Sequence, residues 1–171
     1  MAAFDRALGW VTMVLAWTAC AVIPVLCALI VIDVSMRTLG ANPPLWTSSV
    51  VEYALLYVTM LPAAWLVRER GHVAIEALVA ALPRLLQTLF AYLVYIVCTL
   101  VAFLCAWFSW GLLVEALETG ALDVRGVDMP TWLQYLPMFL GFTLVGLEFL
   151  MYVLGRRRYY SYDLGEVKDG V

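Results

Sequence analysis

The sequence predicts an all-α membrane protein of four tilted transmembrane helices, with a short in-plane cytoplasmic helix between the second and third. Three observations carry this. Four apolar runs are each long enough to cross a hydrocarbon core of about 30 Å at about 1.5 Å per residue. The composition is 65% apolar and only 13% charged, with a mean hydropathy of +0.93, whereas roughly a quarter of residues are charged in a soluble domain. Finally, the basic residues fall almost wholly on one side of the runs.

The first run extends from Trp10 to Ile32. It is longer than the apolar core of a signal peptide and continues past the small residues Ala19, Cys20 and Ala21, so it is expected to be a retained helix. The second extends from Trp46 to Val67. Ser49, followed three residues later by Glu52, fits a capping box that would start this helix near Val50. The third, Leu85 to Val114, would measure roughly 45 Å as a helix and must tilt or project beyond the lipid. The fourth, Thr131 to Leu154, is preceded by Asp128-Met129-Pro130, which reads as a helix start with proline in the first turn. Pro24, Pro62 and Pro137 lie inside runs and are expected to kink them.

Between Arg68 and Arg84, residues Val73 to Leu82 are too short to cross yet apolar enough for the headgroup zone. They predict the in-plane helix, with Glu76 nearly alone on its polar face. A cytoplasmic extension of a neighbouring helix is the alternative. No connection can bury a core of its own, so residues 1–171 form one integral membrane domain, with 155–171 a cytoplasmic tail.

Eight basic residues (Arg6, Arg68, Arg70, Arg84, Arg156, Arg157, Arg158 and Lys168) stand on one side, and only Arg37 and Arg125 on the other. The positive-inside rule then places both termini and the middle connection in the cytoplasm. Tryptophans agree, because indole favours the membrane boundary. Trp10 and Trp65 fall at the inner boundary, and Trp46, Trp107, Trp110 and Trp132 at or near the outer one. Only Trp17 lies deep.

Few residues could carry chemistry. His72 is the sole histidine, too few for a bis-imidazole haem or a multi-histidine metal site, and it reads as a turn residue after the second helix. No cofactor, metal or nucleic-acid partner is expected. Cys20 and Cys27, like Cys98 and Cys105, are seven apart on one helix face, roughly 10 Å along the axis and too far for a disulfide. Cys98, Ala102, Cys105 and Ser109 form a small-residue stripe that lets membrane helices approach closely.

Glu52 is either an intramembrane carboxylate or an interfacial cap, with Arg37 its expected ionic partner. Glu148 lies roughly 10 Å inward from the cytoplasmic end of the fourth run, where an unpaired carboxylate is costly. Its candidate partners are Thr12, an arginine of the middle connection, or a group on another protein. The acidic connection carrying Glu115, Glu118, Asp123 and Asp128 could orient a soluble periplasmic partner; the arginines at 156 to 158 suffice as a stop-transfer cluster, with anionic lipid as a second reading.

Several of these segments, taken in order, resemble the small membrane subunit of tripartite ATP-independent periplasmic (TRAP) transporters. They are Asp33-Val34-Ser35-Met36-Arg37, Leu45-Trp46-Thr47-Ser48-Ser49 with Glu52, Arg68-Glu69-Arg70-Gly71-His72-Val73, and Gly126-Val127-Asp128-Met129-Pro130. Ile75-Glu76 departs from the family's hydrophobic residue followed by Asp, but keeps the charge.

The resemblance implies a scaffold in the bacterial inner membrane, bound to a large membrane subunit that holds the substrate and cation sites. A periplasmic binding protein would deliver organic acids, and an ion gradient would drive uptake. Arg37, Trp46, Glu52, Arg68, His72, Glu76, Asp128 and Glu148 are then structural or subunit-contact candidates, and membrane lipids are partners. The rival expectation is an independent proton-coupled exporter using Glu52 or Glu148.

Overall fold

The architecture is taken from a computed structural model, which describes residues 2–42, 44–69, 84–124 and 128–154. Four helical stretches are long and apolar enough to cross a membrane, as the runs predicted. The expected in-plane helix, with His72 and Glu76, lies outside the described residues, as does the tail.

Helix α1 spans Ala2–Thr38, roughly 55 Å for its 37 residues, and overruns the first apolar stretch at both ends. Asp5 in the first turn and Arg37 in the last each oppose the helix dipole favourably. The helix is continuous through Pro24, since a single lost backbone bond is tolerated inside a membrane helix. It stops at Gly40, whose φ is +75°. The Gly40 N–H donates to the Arg37 carbonyl at 3.2 Å and the Ala41 N–H to the Met36 carbonyl at 2.9 Å, a Schellman closure that satisfies the last carbonyls.

The second run is two helices, α2 (Trp46–Met60) and α3 (Ala63–Arg68), separated at Leu61 and Pro62. Of the three internal prolines, only Pro62 interrupts its helix; α5 (Trp132–Val153) is continuous through Pro137. Helix α4, Arg84–Thr119, has 36 residues and is thus roughly 54 Å long, exceeding the predicted span at its far end.

A two-stranded antiparallel hairpin that the sequence did not suggest joins α4 to α5. Strand β1 (Leu122–Val124) pairs with β2 (Asp128–Pro130) in the register Leu122 to Pro130, Asp123 to Met129 and Val124 to Asp128. Asp128-Met129-Pro130 is therefore strand and not the first helical turn. Thr131 closes the hairpin through its backbone N–H and its hydroxyl, both donating to the Ala121 carbonyl at 3.0 and 2.6 Å. Proline is tolerated here because it ends a short edge strand.

The neighbour order is α1, then α2 with α3, then α5, then α4. Helix α4 packs along α5, while α1 and α4 make no more than a glancing contact. The helices thus form an open row in which α5 is the most buried. Packing follows the small-residue logic of membrane helices, which gain little from excluding lipid and rely on close approach.

On α4, Ala102, Ala106, Ser109 and Ala116 are buried, with Cys98 and Cys105 half-buried beside them. A Cβ added at Gly146 would lie 3.3 Å from the Phe103 ring, and one at Gly141 would lie 2.9 Å from the Met60 carbonyl oxygen. The stripe expected on the third run is therefore a real contact face. Cys20 and Cys27, in contrast, are exposed on α1.

Candidate functional site

Among the described residues, a dense polar arrangement lies where α1, α3 and α5 converge. Arg68, the last residue of α3, directs Nη1 at Glu148 Oε1 of α5 at 3.0 Å. Its Nη2 donates to the Asp5 backbone carbonyl at 3.2 Å and lies 3.7 Å from Asp5 Oδ1. The side chain of Glu148 has no solvent exposure, and that of Arg68 retains 19%. A buried carboxylate alone would be very costly, so the guanidinium meets that cost with a charge-assisted hydrogen bond.

Of the three expected partners for Glu148, the structure supplies the arginine from the start of the middle connection. Thr12 is also fully buried, and its hydroxyl donates to the Gly9 carbonyl at 3.1 Å.

Gly9 lets α1 approach this pair. A Cβ there would collide with the guanidinium group of Arg68, so the helix lies almost directly on the arginine plane. Leu8, Thr12, Ala16 and Ala19 bury the same side of α1. Below Arg68, the hydroxyl of Tyr152 donates to the carbonyls of Val67 and Arg68 at 3.2 and 3.3 Å. These carbonyls lie in the last turn of a short helix, where the regular backbone ladder runs out. The Tyr152 ring stacks on Tyr95 with centroids 5.6 Å apart, and a cluster of Val67, Tyr95 and Tyr152 with Val145, Phe149 and Val153 surrounds them.

Other expected residues fall differently. Arg37 pairs with Asp33 one turn back on α1, Nε to Oδ2 at 2.8 Å, and not with Glu52. This local pair forms because residues four apart share a helix face. The Ser49–Glu52 capping box is absent. Helix α2 starts at Trp46, three residues earlier, with no side-chain cap, so Ser49 sits inside the helix. Its buried hydroxyl has no hydrogen-bond partner among the described residues. Trp46, expected at the outer boundary, is the partly exposed first residue of α2. Asp128 stands in β2, opposite Val124.

Two clefts flank α2. One, of about 320 Å³, lies between α1 and α2 and is apolar, lined among others by Thr18, Val22, Tyr53, Tyr57 and Leu133. The Tyr57 hydroxyl donates to the Leu133 carbonyl at 2.9 Å. The other, of about 370 Å³, lies between α2 and α5 and gathers Glu52, Thr59 and Gln134 among Tyr53, Leu55 and Leu56.

Asp5 and Gly9 were not singled out from sequence. The signal was present: Gly9, Thr12, Ala16 and Ala19 repeat at three and four residues, a small-residue helix face as clear as that of the third run.

Four membrane-capable helices among the described residues, with the fully buried Glu148 tied to Arg68 of the same chain, define a small multi-pass membrane protein whose buried polar groups hold helix to helix. Residues 26–158 match the family model of the DctQ component of tripartite ATP-independent periplasmic transporters, and the chain belongs to that family. It is a small membrane component of such a transporter. No curated protein and no solved structure matches the chain.

Proposed function

We propose that this chain is the scaffold subunit of a secondary active, binding-protein-dependent transporter for organic acids, bracing a large transport subunit in the bacterial inner membrane. Both termini face the cytoplasm, and residues 1–171 act as one domain. The observation that carries this reading is the open row of helices with Glu148 locked by Arg68 at 3.0 Å. A row offers wide lateral surface for a neighbour and for lipid, and among the described residues it encloses no path for a solute. Within it, Arg68 and Glu148 fix the row's own geometry, and Trp46 anchors α2 at the outer boundary.

An independent exporter needs a carboxylate that exchanges protons during each cycle, and a buried one pinned by a guanidinium is poorly suited to that task. The test is reconstitution. Vesicles with this chain, its large subunit and the binding protein should accumulate an organic acid, and vesicles with this chain alone should not. Uphill solute movement by the chain alone would refute the scaffold reading.

A further inference from the structure

The seam between α1 and α2 opens partway along its length. Thr12, Ala16, Ala19 and Leu26 are buried on one side of α1, but Val22 and Ile23, which fall between Ala19 and Leu26 on that same side, are 37% and 44% exposed. Val22 instead lines the apolar cleft of about 320 Å³, which α2 and Leu133 of α5 also wall. On α2 the lining runs from Val50 to Leu61, roughly 16 Å along the axis, and begins about 6 Å from Trp46.

The walls give water little to bind. The Thr18 hydroxyl donates to the Leu15 carbonyl at 2.7 Å and the Tyr57 hydroxyl to the Leu133 carbonyl at 2.9 Å, and the Tyr53 hydroxyl oxygen is buried. Apolar cavities of about half this volume stay dry and take up apolar molecules. The surroundings of membrane-capable helices supply two such occupants, a neighbouring helix and a lipid tail. Volume separates them. A helix about 10–12 Å across would need on the order of 1,500 Å³ over the same length, several times what the cleft offers. One lipid tail fits, because a single leaflet contributes about half of a hydrocarbon core of about 30 Å, which is close to the length of the lining.

We propose that this cleft binds one acyl chain of a phospholipid from the leaflet on the Trp46 side, and that the chain completes the seam left open at Val22 and Ile23. The site reads the tail and not the headgroup, since the lining is apolar. Such a site requires only that the helices span a membrane and is independent of the scaffold reading.

The test uses the full chain in phosphatidylcholine vesicles doped with phosphatidylcholine that carries a diazirine midway along one acyl chain. After photolysis, adducts mapped by mass spectrometry should be enriched at Val22, Ala54 and Val58 over Leu100 and Leu104, which are exposed on α4 and report bulk lipid. Ala54→Phe places a ring in the cleft, and displacing even two methylenes costs about tenfold in affinity. Labelling at Val22 should then fall on the order of tenfold, with Leu100 and Leu104 unchanged. Val22→Phe fills the cleft from α1 and should do the same at Val58, so either variant decides if the other fails to fold. Equal labelling of the cleft and α4 positions in the unaltered chain shows bulk lipid only and overturns the site, as does undiminished labelling in the filled variants. Loss of cleft labelling when the large subunit is reconstituted alongside assigns the cleft to a side chain of that subunit and also overturns it.

Discussion

Arg68 and Glu148 stand eighty residues apart in the chain, yet Nη1 of the first lies 3.0 Å from Oε1 of the second. The contact joins the last turn of α3 to the C-terminal half of α5, and the Asp5 carbonyl adds α1 to the same guanidinium. Breaking such a pair leaves one charge buried and uncompensated, which costs about 3–5 kcal/mol, whereas replacing both partners with apolar groups is often neutral. Arg68→Ala, which strands the fully buried Glu148, should lose that amount in equilibrium unfolding in mixed micelles, and Glu148→Ala should lose less, because Asp5 still faces the partly exposed guanidinium. The double change Arg68→Met with Glu148→Leu should regain most of it.

The Asp33–Arg37 pair is a contrast of the same chemistry in a different place. Its arginine side chain is 57% exposed, and exposed pairs one helical turn apart are screened by solvent and contribute little to stability. Arg37→Ala should therefore leave the unfolding midpoint close to that of the parent. A loss approaching that of Arg68→Ala would show that Arg37 has a further partner.

Gly141 tests helix separation. The atom nearest a Cβ placed there is the Met60 carbonyl oxygen at 2.9 Å, which belongs to backbone and cannot swing aside. Gly141→Ala should push α2 from α5 and cost about 1–3 kcal/mol as overpacking. Gly111→Ala is the control, because nothing lies within 4 Å of its added Cβ, and it should be neutral or slightly stabilising in the same unfolding assay.

At Gly9 the obstacle is the Arg68 guanidinium, normally a mobile group but here tied on two sides. Gly9→Val should therefore displace α1 from the ion pair. The expected readout is faster proteolysis or hydrogen exchange across residues 2–12, with α4 and α5 unaffected.

Tyr152→Phe keeps the ring stacked on Tyr95 and removes the hydroxyl that serves the carbonyls of Val67 and Arg68. Loss of one such hydrogen bond should cost about 0.5–1.5 kcal/mol. Tyr57→Phe, which loses a bond to the Leu133 carbonyl, should cost a similar amount, and the two losses should add because the sites serve different ends of α5.

The four spans were legible because lipid imposes a simple local rule: about twenty consecutive apolar residues must fold as a helix that satisfies its own backbone. The small-residue face of α4 was legible for a related reason, since helical spacing alone brings Cys98, Ala102, Cys105 and Ser109 together. Local rules also misled. Ser49 and Glu52 have capping-box spacing, but α2 begins earlier at Trp46. Asp128-Met129-Pro130 looks like a helix start, but pairing with Leu122–Val124 offers its backbone a ladder that the isolated segment lacks.

The sequence by itself determined how many helices cross, where the apolar stretches lie and that Glu148 needs a partner. Only the tertiary structure decided that the partner is Arg68, that Arg37 serves Asp33, that Pro62 alone interrupts its helix, and that Gly9 is where α1 meets the guanidinium. The physical reason is range. Hydropathy, helical periodicity and glycine at a helix end act over a few neighbouring residues, whereas a buried charge is compensated by whatever the packing of distant helices brings within about 3 Å, and spacing along the chain does not encode that choice.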